Sequence, residues 1–203
     1  MTTHDARYRP LGADAAAQLF EAARTHGVWT DREVPDAVLR ALYERLRMAP
    51  TAFNSSPARF VFIRTAEGKE KLRPHLSPGN VDKTMAAPVN VIVAYDLKFF
   101  EVLGQLGAPA ALAERMAAAP PAAAEETAFR SGTLQGAYMI LAARSLGLDC
   151  GPMSGFDAAG LNAAFFPDGR WKANFLCNLG YGDDSVPYKR WPRLGFDEAC
   201  ELL

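Results

Sequence analysis

The chain has 203 residues, a hydrophobic content of 49%, a charged content of 22% and a formal net charge of −1, which is the composition of an ordinary globular protein. Acidic and basic residues are interspersed along the sequence, so the sequence shows no basic cluster of the kind that binds nucleic acid. No apolar run approaches the ~20 residues needed to cross a bilayer. We therefore expect a single domain over residues 1–203, with no nucleic-acid or membrane partner.

The cysteines and the N-terminal sequence bear on the cellular location of the protein. Cys150, Cys177 and Cys200 are three in number and widely spaced, without a CxxC pair, so neither a disulfide framework nor a zinc site is expected. The first twelve residues are polar and lack the apolar core of a signal peptide. A cytoplasmic location and the absence of a metal site follow as expectations.

In chain order, helical and extended patterns alternate without a regular βαβ repeat. Asp14 is a candidate cap for the first helix, Pro35 begins the second, and Thr65 caps a short third helix. Alternating β-forming residues predict strands at 59–64 and 171–181, a continuous apolar run predicts a more buried strand at 88–95, and a loop is expected at 77–87. Two short helices are expected between residues 97 and 120, and another at 157–165. The pattern is mixed α+β.

The longest predicted element is a helix that begins at Pro121 and runs to Leu146 without a breaker. It is apolar on opposite faces, which predicts burial on both sides. Gly132 and Gly136 lie one turn apart, so a second backbone could approach closely there. The following segment, 148–155 (LDCGPMSG), predicts a tight turn suited to a ligand site.

No nucleotide fingerprint and no nucleophile–base arrangement can be recognised, so no catalytic side chain is assigned. Chemistry without catalytic side chains usually comes from a cofactor. Four polar segments could hold one, at 24–26, 50–57, 80–83 and 189–193. Arginines suit a phosphate, whereas asparagine and backbone amides suit the polar edge of a flavin; each segment alone is also compatible with a solvated loop.

Two segments carry the first part of a family resemblance. The sequence APTAFNSSP at 49–57, followed by RFVFIR, resembles the Pro-Ser-Ser-x-Asn-x-Gln-Pro loop and strand of the nitroreductase family. It keeps Pro50, Asn54 and Pro57 and departs at Ala52 and Ser56. Near the N-terminus, Arg24-Thr25 followed by Trp29 is similar to the family's phosphate-binding segment.

Three further segments extend the resemblance over nearly the whole chain, in the family's order. Asn80 and Lys83 precede a strand where the family places residues that face the flavin ring. The sequence AARSLGLDCGPMSGFD resembles the segment whose backbone amides reach flavin N5. The sequence WPRLGFDEA resembles the C-terminal phosphate anchor, with Arg193 at its arginine and Trp191 where lysine is common. Either Arg190 or Lys189 then supplies the second charge.

The resemblance implies a nitroreductase-like fold, in which helices flank a central antiparallel or mixed sheet and a long central helix mediates dimerisation. It implies a homodimer with FMN at the subunit interface, NAD(P)H as co-substrate and a small-molecule electron acceptor. Hydride would pass through flavin N5 in a ping-pong reaction, with residues 50–54 contributed by the partner subunit. The implied cofactor-binding residues are Arg24, Thr25, His26, Pro50, Thr51, Asn54, Asn80, Lys83, Met153, Ser154, Gly155, Arg190 and Arg193.

Within the family, the segments RTHGVW, TLQGAYMILAARSLGLDCGPMSGFD and PRLGFDEAC are most similar to the malonic semialdehyde reductases of the Rut pathway of pyrimidine degradation. Relatives in this branch are usually labelled NADH dehydrogenase or NAD(P)H nitroreductase. The resemblance thus implies reduction of malonic semialdehyde to 3-hydroxypropionate, with Lys83, His26 and Arg59 as candidates to hold its carboxylate. The alternatives are a broad-specificity NAD(P)H nitroreductase or quinone reductase and a flavin-binding module without turnover.

Overall fold

Four strands form one antiparallel sheet in the order β1–β2–β4–β3, which confirms the mixed α+β fold class. The computed structural model describes residues 9–186 and 189–203, so most of the polar N-terminal segment lies outside the described residues. The strands are β1 (Ala58–Ile63), β2 (Val89–Asp96), β3 (Asp149–Met153) and β4 (Trp171–Gly180). β1 and β3 are therefore the two edges of the sheet.

Helices cover both faces of the sheet. They are α1 (Ala13–Ala16, continued by a π-helical turn, Ala17–Glu21), α2 (Asp36–Leu46), α3 (Ala66–Leu72), α4 (Val81–Ala86), α5 (Ala110–Ala117), α6 (Pro121–Ser145), α7 (Ala158–Phe165) and α8 (Phe196–Ala199), with a 3₁₀ segment at Phe99–Leu106. The Thr65 hydroxyl accepts a hydrogen bond from the Gly68 N–H, as predicted for a cap. Asp14 does not cap α1, because Gly12 occupies the N-cap and Asp14 lies in the first turn.

Two predicted loops are regular structure. Most of segment 148–155 is strand β3, which contains a glycine and a proline and therefore resembles a turn in sequence. Pro152 is tolerated because β3 is an edge strand. Likewise, segment 77–87 contains α4, which is only six residues long and too short for a helical period to be read.

The long helix α6 confirms the predicted span and corrects its packing. Gly132 and Gly136 are buried against the chain's own sheet: a Cβ at Gly132 would lie 3.2 Å from the Tyr95 Cβ, and one at Gly136 would lie 2.6 Å from the Phe175 ring. The expectation that these glycines admit a second backbone is therefore wrong. Elsewhere on its surface, α6 exposes large apolar side chains, at Phe129, Leu134 and Tyr138.

The core lies on both sides of β2, all of whose residues are buried. One layer packs α2 and α6 on the sheet and includes Cys150 and Cys177, whereas the other packs α3 and α7 on the opposite face. A hydrogen bond with Cys150, together with burial, raises the pKa of the Cys177 thiol well above its ordinary value. Cys200 is exposed. Among the described residues, no helix combines the length and apolar character needed to span a membrane.

At Gly180 the end of β4 has no room for a side chain. A Cβ there would lie 2.6 Å from the Pro88 ring and 2.9 Å from the Trp29 indole. Trp29 is buried, and both groups are rigid rings, so neither can swing away as a flexible side chain would.

We expect Gly180→Ala to lower the free energy of unfolding by about 1–3 kcal/mol, because an added methyl overpacks this contact. Urea denaturation, with the midpoint and slope fitted separately, measures the change. Gly104→Ala is the matched control: a Cβ at Gly104 meets nothing within 4 Å, so this variant should match or slightly exceed the parent. Equal stability of the two variants would contradict the predicted overpacking.

Candidate functional site

The segment that contains Arg24, Thr25 and His26 lies across the ends of β3 and β4. Thr25 forms a parallel bridge with Cys150, and Trp29 forms an antiparallel bridge with Gly182. This close contact needs glycine, because a Cβ at Gly182 would lie 2.2 Å from the His26 ring. The sheet edge thereby fixes the position of the N-terminal polar segment.

Arg24 and Arg190 lie side by side although 165 residues separate them. The Arg24 Nη1 donates to the carbonyl oxygens of Glu21, Ala22 and Ala23. The Arg190 Nη2 donates to those of Phe20, Glu21 and Ala23. Since both guanidinium groups share two acceptors, they are close neighbours at the end of α1. Two adjacent guanidinium groups are a suitable donor set for a phosphate.

Arg193 is not part of this pair. Its Nη1 donates to the carbonyl oxygens of Trp191 and Pro192, 2.7 and 3.1 Å away, so its contacts are local to an exposed segment. Of the two alternatives for the second charge, Arg190 is the residue that the structure places beside Arg24.

The second group of predicted residues meets where β3 ends. The Asn80 Nδ2 donates to the Gly155 carbonyl oxygen at 2.8 Å, and the Ser77 N–H donates to the same oxygen at 3.1 Å. A Cβ at Gly155 would lie 2.6 Å from the Asn80 Nδ2, so a larger residue here would require the Asn80 amide to move. The exposed Ser154 and half-buried Met153 precede it. The structure thus brings Asn80 and the segment Met153 to Gly155 together.

Lys83 lies on α4, between these two groups. The Trp29 Nε1 donates to the Lys83 carbonyl oxygen at 3.0 Å, and the Asn178 Nδ2 donates to it at 3.2 Å. Asn178 pairs with Gly151 in the middle of β3, which places Lys83 level with the centre of that strand. Within the described ranges, no carboxylate lies within salt-bridge distance of the Lys83 ammonium, which leaves its charge available to a ligand.

β3 is therefore the axis of the candidate site. Arg24, Thr25 and Arg190 lie at its beginning, Lys83 near its middle, and Asn80 with Gly155 at its end. This donor set suits an elongated ligand with an anionic end and a polar, hydrogen-bonding end.

Pro50, Thr51 and Asn54 lie elsewhere. The loop that holds them precedes β1, at the opposite edge of the sheet from β3, about 14 Å away at ~4.8 Å per strand. The Asn54 Nδ2 donates to the Leu106 carbonyl oxygen at 3.2 Å, and Ala52 donates its N–H to the Ser131 Oγ on α6. One copy of the chain does not bring this loop to β3.

The three charged residues predicted to hold a substrate carboxylate also lie in different places. The Arg59 Nη2 lies 2.7 Å from the buried Asp96 Oδ2, on the β1 side of the sheet. His26 is 6% exposed, and its Nε2 lies 3.5 Å from the Asp149 Oδ1. Lys83 is therefore the candidate whose charge is not committed to a carboxylate.

Sequence reasoning missed the residues beneath α4. Asn90 and Asn178 are cross-strand partners in β2 and β4, and both contact α4 through side-chain hydrogen bonds. The signal that could have found them is an asparagine flanked by apolar residues in each of two segments, VNVIVAY and FLCNLG. A buried amide requires partners, and those partners are seldom on the strand itself.

Comparison with known proteins places this chain in a family. The model described as "Nitroreductase family" matches residues 24–181, which includes Arg24, α4 and β3 but ends before Arg190. A protein of Stutzerimonas stutzeri (strain A1501), named "Putative NADH dehydrogenase/NAD(P)H nitroreductase", is 58% identical over 195 residues, covering 96% of this chain and 99% of its own. A protein of the same name from Rhodopseudomonas palustris (strain TIE-1) is 56% identical over 186 residues, 92% of this chain and 94% of its own.

Solved structures have the same fold. A nitroreductase family protein from Streptococcus pneumoniae TIGR4 aligns with a TM-score of 0.81 at 22% identity, covering 92% of this chain and 98% of its own. A structure from Exiguobacterium sibiricum, described as a nitroreductase in complex with FMN, aligns with a TM-score of 0.78 at 20% identity, covering 96% and 99%. The family match spans most of the chain, and this protein belongs to the nitroreductase family.

Proposed function

We propose that this chain is an FMN-dependent NAD(P)H oxidoreductase. The observation that supports it best is the convergence of Arg24, Arg190, Lys83, Asn80 and Gly155 along β3. A paired guanidinium group, an ammonium, an amide and a glycine-bounded backbone provide donors suited to a phosphate and to the polar edge of a flavin. The FMN complex of the Exiguobacterium neighbour and the NAD(P)H-related names of the close relatives favour the same assignment.

In this proposal each residue has a binding role. Arg24, Thr25 and Arg190 hold the phosphate, Lys83 and Asn80 contact the ring, and the backbone from Met153 to Gly155 lines its edge. When bound, FMN would accept a hydride from NAD(P)H and deliver it to a second substrate. The residues of the chain orient the flavin and hold charge beside it, and no side chain need act as acid or base.

The proposed cofactor site is completed by a second copy of the chain. The loop with Pro50, Thr51 and Asn54 is one sheet-width from β3, whereas the exposed apolar face of α6 is a surface through which two copies could associate. An isologous dimer would present the loop of one copy to β3 of its partner.

We further propose that the acceptor is malonic semialdehyde, which the site would reduce to 3-hydroxypropionate. The uncommitted Lys83 ammonium supplies one positive charge for a small carboxylate. The names of the close relatives favour a broader NAD(P)H nitroreductase as the second candidate function.

For the cofactor, we expect purified protein to be yellow and to release stoichiometric FMN on denaturation. Arg24→Ala and Arg190→Ala should each raise the FMN dissociation constant about ten- to a hundredfold, because each removes a hydrogen bond to a charged group. Fluorescence titration measures both. Arg40→Ala, an exposed arginine of α2, is the control and should bind normally. If Arg193→Ala weakens binding and Arg190→Ala does not, the phosphate is held by the other arginine; recovery of FAD or no flavin would refute the cofactor assignment.

For the assembly, we expect sedimentation at micromolar concentration to show a dimer. Leu134→Asp should shift it towards monomer and release FMN, because a carboxylate on the apolar face of α6 would have to be desolvated on association. Leu11→Asp, at an exposed leucine outside α6, serves as the matched control. A folded monomer that retains FMN would count against the shared site.

For the substrate, we expect kcat/KM for malonic semialdehyde to exceed that for a nitrofuran or a quinone by at least about a hundredfold, equivalent to ~2.7 kcal/mol of differential transition-state binding. Lys83→Met should lower kcat/KM for malonic semialdehyde more than that for propionaldehyde, which has no carboxylate. Equal or reversed preference among the acceptors would support the broad reductase. Loss of NAD(P)H oxidation with every acceptor, in protein that still binds FMN, would favour a flavin-binding module without turnover.

A further inference from the structure

A buried polar network lies beneath α4. Asn90 is 2% exposed and Asn178 is 1% exposed, in strands whose neighbouring residues are apolar. The Asn90 Nδ2 donates to the Asn178 Oδ1 at 2.9 Å and to the Thr84 carbonyl oxygen at 2.8 Å. The Asn178 Nδ2 donates to the Lys83 carbonyl oxygen at 3.2 Å and to the Thr84 Oγ1 at 3.3 Å. Two amides of the sheet thus hold consecutive residues of one helix.

The network reaches both sides of the candidate site. The Thr84 Oγ1 lies 3.5 Å from the Met153 Sδ, at the end of β3. Asn80, which precedes α4, donates to the Gly155 carbonyl oxygen. A displacement of α4 would therefore move Lys83 and Asn80 together, relative to Met153 and Gly155.

α4 depends on such contacts for its position. A six-residue helix is too short to be stable by itself. Its last carbonyl oxygens point away from the helix and require donors. Side chains provide them: Trp29 and Asn178 at Lys83, Asn90 at Thr84, and the Lys69 Nζ at Met85 and Ala87.

The network is not optimised for stability alone. Within the part of the chain that the structure describes, the buried Asn90 Oδ1 has no hydrogen-bond donor. An apolar pair at these two facing positions would avoid that cost, whereas an amide pair fixes direction and distance. The two amides donate to the carbonyl oxygens of Thr84 and Lys83 and so fix the direction and distance of α4 from the sheet.

We propose that Asn178, oriented by Asn90, is a positioning residue that fixes α4, and with it Lys83, over β3. The consequence of this positioning, which is that Lys83 and Asn80 are aligned with the flavin, rests on the proposed function. Neither asparagine touches the ligand in this assignment. Each acts through the carbonyl groups of α4.

The test compares three variants of the full chain: Asn178→Leu, the double variant Asn90→Leu/Asn178→Leu, and Asn174→Leu as the matched control. Asn174 lies on the same strand and donates to the Thr133 Oγ1, away from α4. The double variant removes both amides at once, which is tolerated better than leaving one of them unpaired.

Hydrogen exchange of the cofactor-free protein is the first measurement. In the single and double variants, we expect amides of α4 to exchange about tenfold faster or more, because each lost hydrogen bond is a substantial part of what holds a short helix. Amides of α6 should keep their protection, and the control should match the parent. Unchanged exchange in α4 would overturn the proposal, as would failure of both variants to fold, which would assign the pair to global stability.

FMN binding is the second measurement. We expect the dissociation constant of the double variant to rise about tenfold or more, with a shifted reduction potential of the bound flavin, while the control retains the parent values. Parental values in the double variant would overturn the link to the site. If the parent protein binds no FMN, the proposed function fails, and the exchange data still decide whether the asparagines hold α4.

Discussion

The candidate site depends on one constraint, which is that a helix of six residues must be held from outside. α4 carries Lys83, yet its own hydrogen bonds cannot fix it, and its terminal carbonyl oxygens need donors. The sheet supplies two amides from below, Trp29 supplies an indole N–H, and Lys69 supplies an ammonium. Burial lowers the pKa of Lys69, which is the cost of bringing that charge to the helix end. The positions of Lys83 and of the preceding Asn80 therefore depend on what holds this helix.

The edges of the sheet impose the second constraint. Because β1 and β3 are the outer strands, the loop before β1 and the segment after β3 are as far apart as the sheet allows. Helix α6 crosses behind the sheet, turns its glycines inward and leaves Phe129, Leu134 and Tyr138 outside. The dimer proposed above would account for both features: a second copy would cover the exposed apolar side chains of α6 and bring the loop before β1 to the β3 edge of its partner.

Much of the fold could be predicted from the sequence, because three strands are rich in β-forming residues and the long helix contains no proline after its first residue. The reading failed where pattern and composition conflict. Strand β3 contains a glycine and a proline, a composition typical of turns, and α4 is shorter than two helical turns. The spacing of Gly132 and Gly136 indicates a close contact but does not reveal that the neighbour is the chain's own sheet.

The candidate site was predictable only in part, for a related reason. Local segments identified Arg24, Asn80, Lys83 and Gly155, since each lies in a recognisable stretch. The choice of Arg190 over Arg193 beside Arg24 depends on the path of the C-terminal segment, which no local pattern encodes. The asparagines beneath α4 depend on cross-strand register, which the isolated strands do not reveal.

The cysteine thiols differ in exposure, so their reactivity can report on the opening of the core. Cys150 and Cys177 face each other within the packed layer beneath α6, and their mutual contact and burial keep the Cys177 thiolate scarce. Cys200 lies exposed on the C-terminal segment. A thiol-specific reagent would therefore mark the C-terminal segment of the native chain alone, and it could reach the inner pair only after the sheet had separated from α6. The opening of the core could be timed without introducing any label.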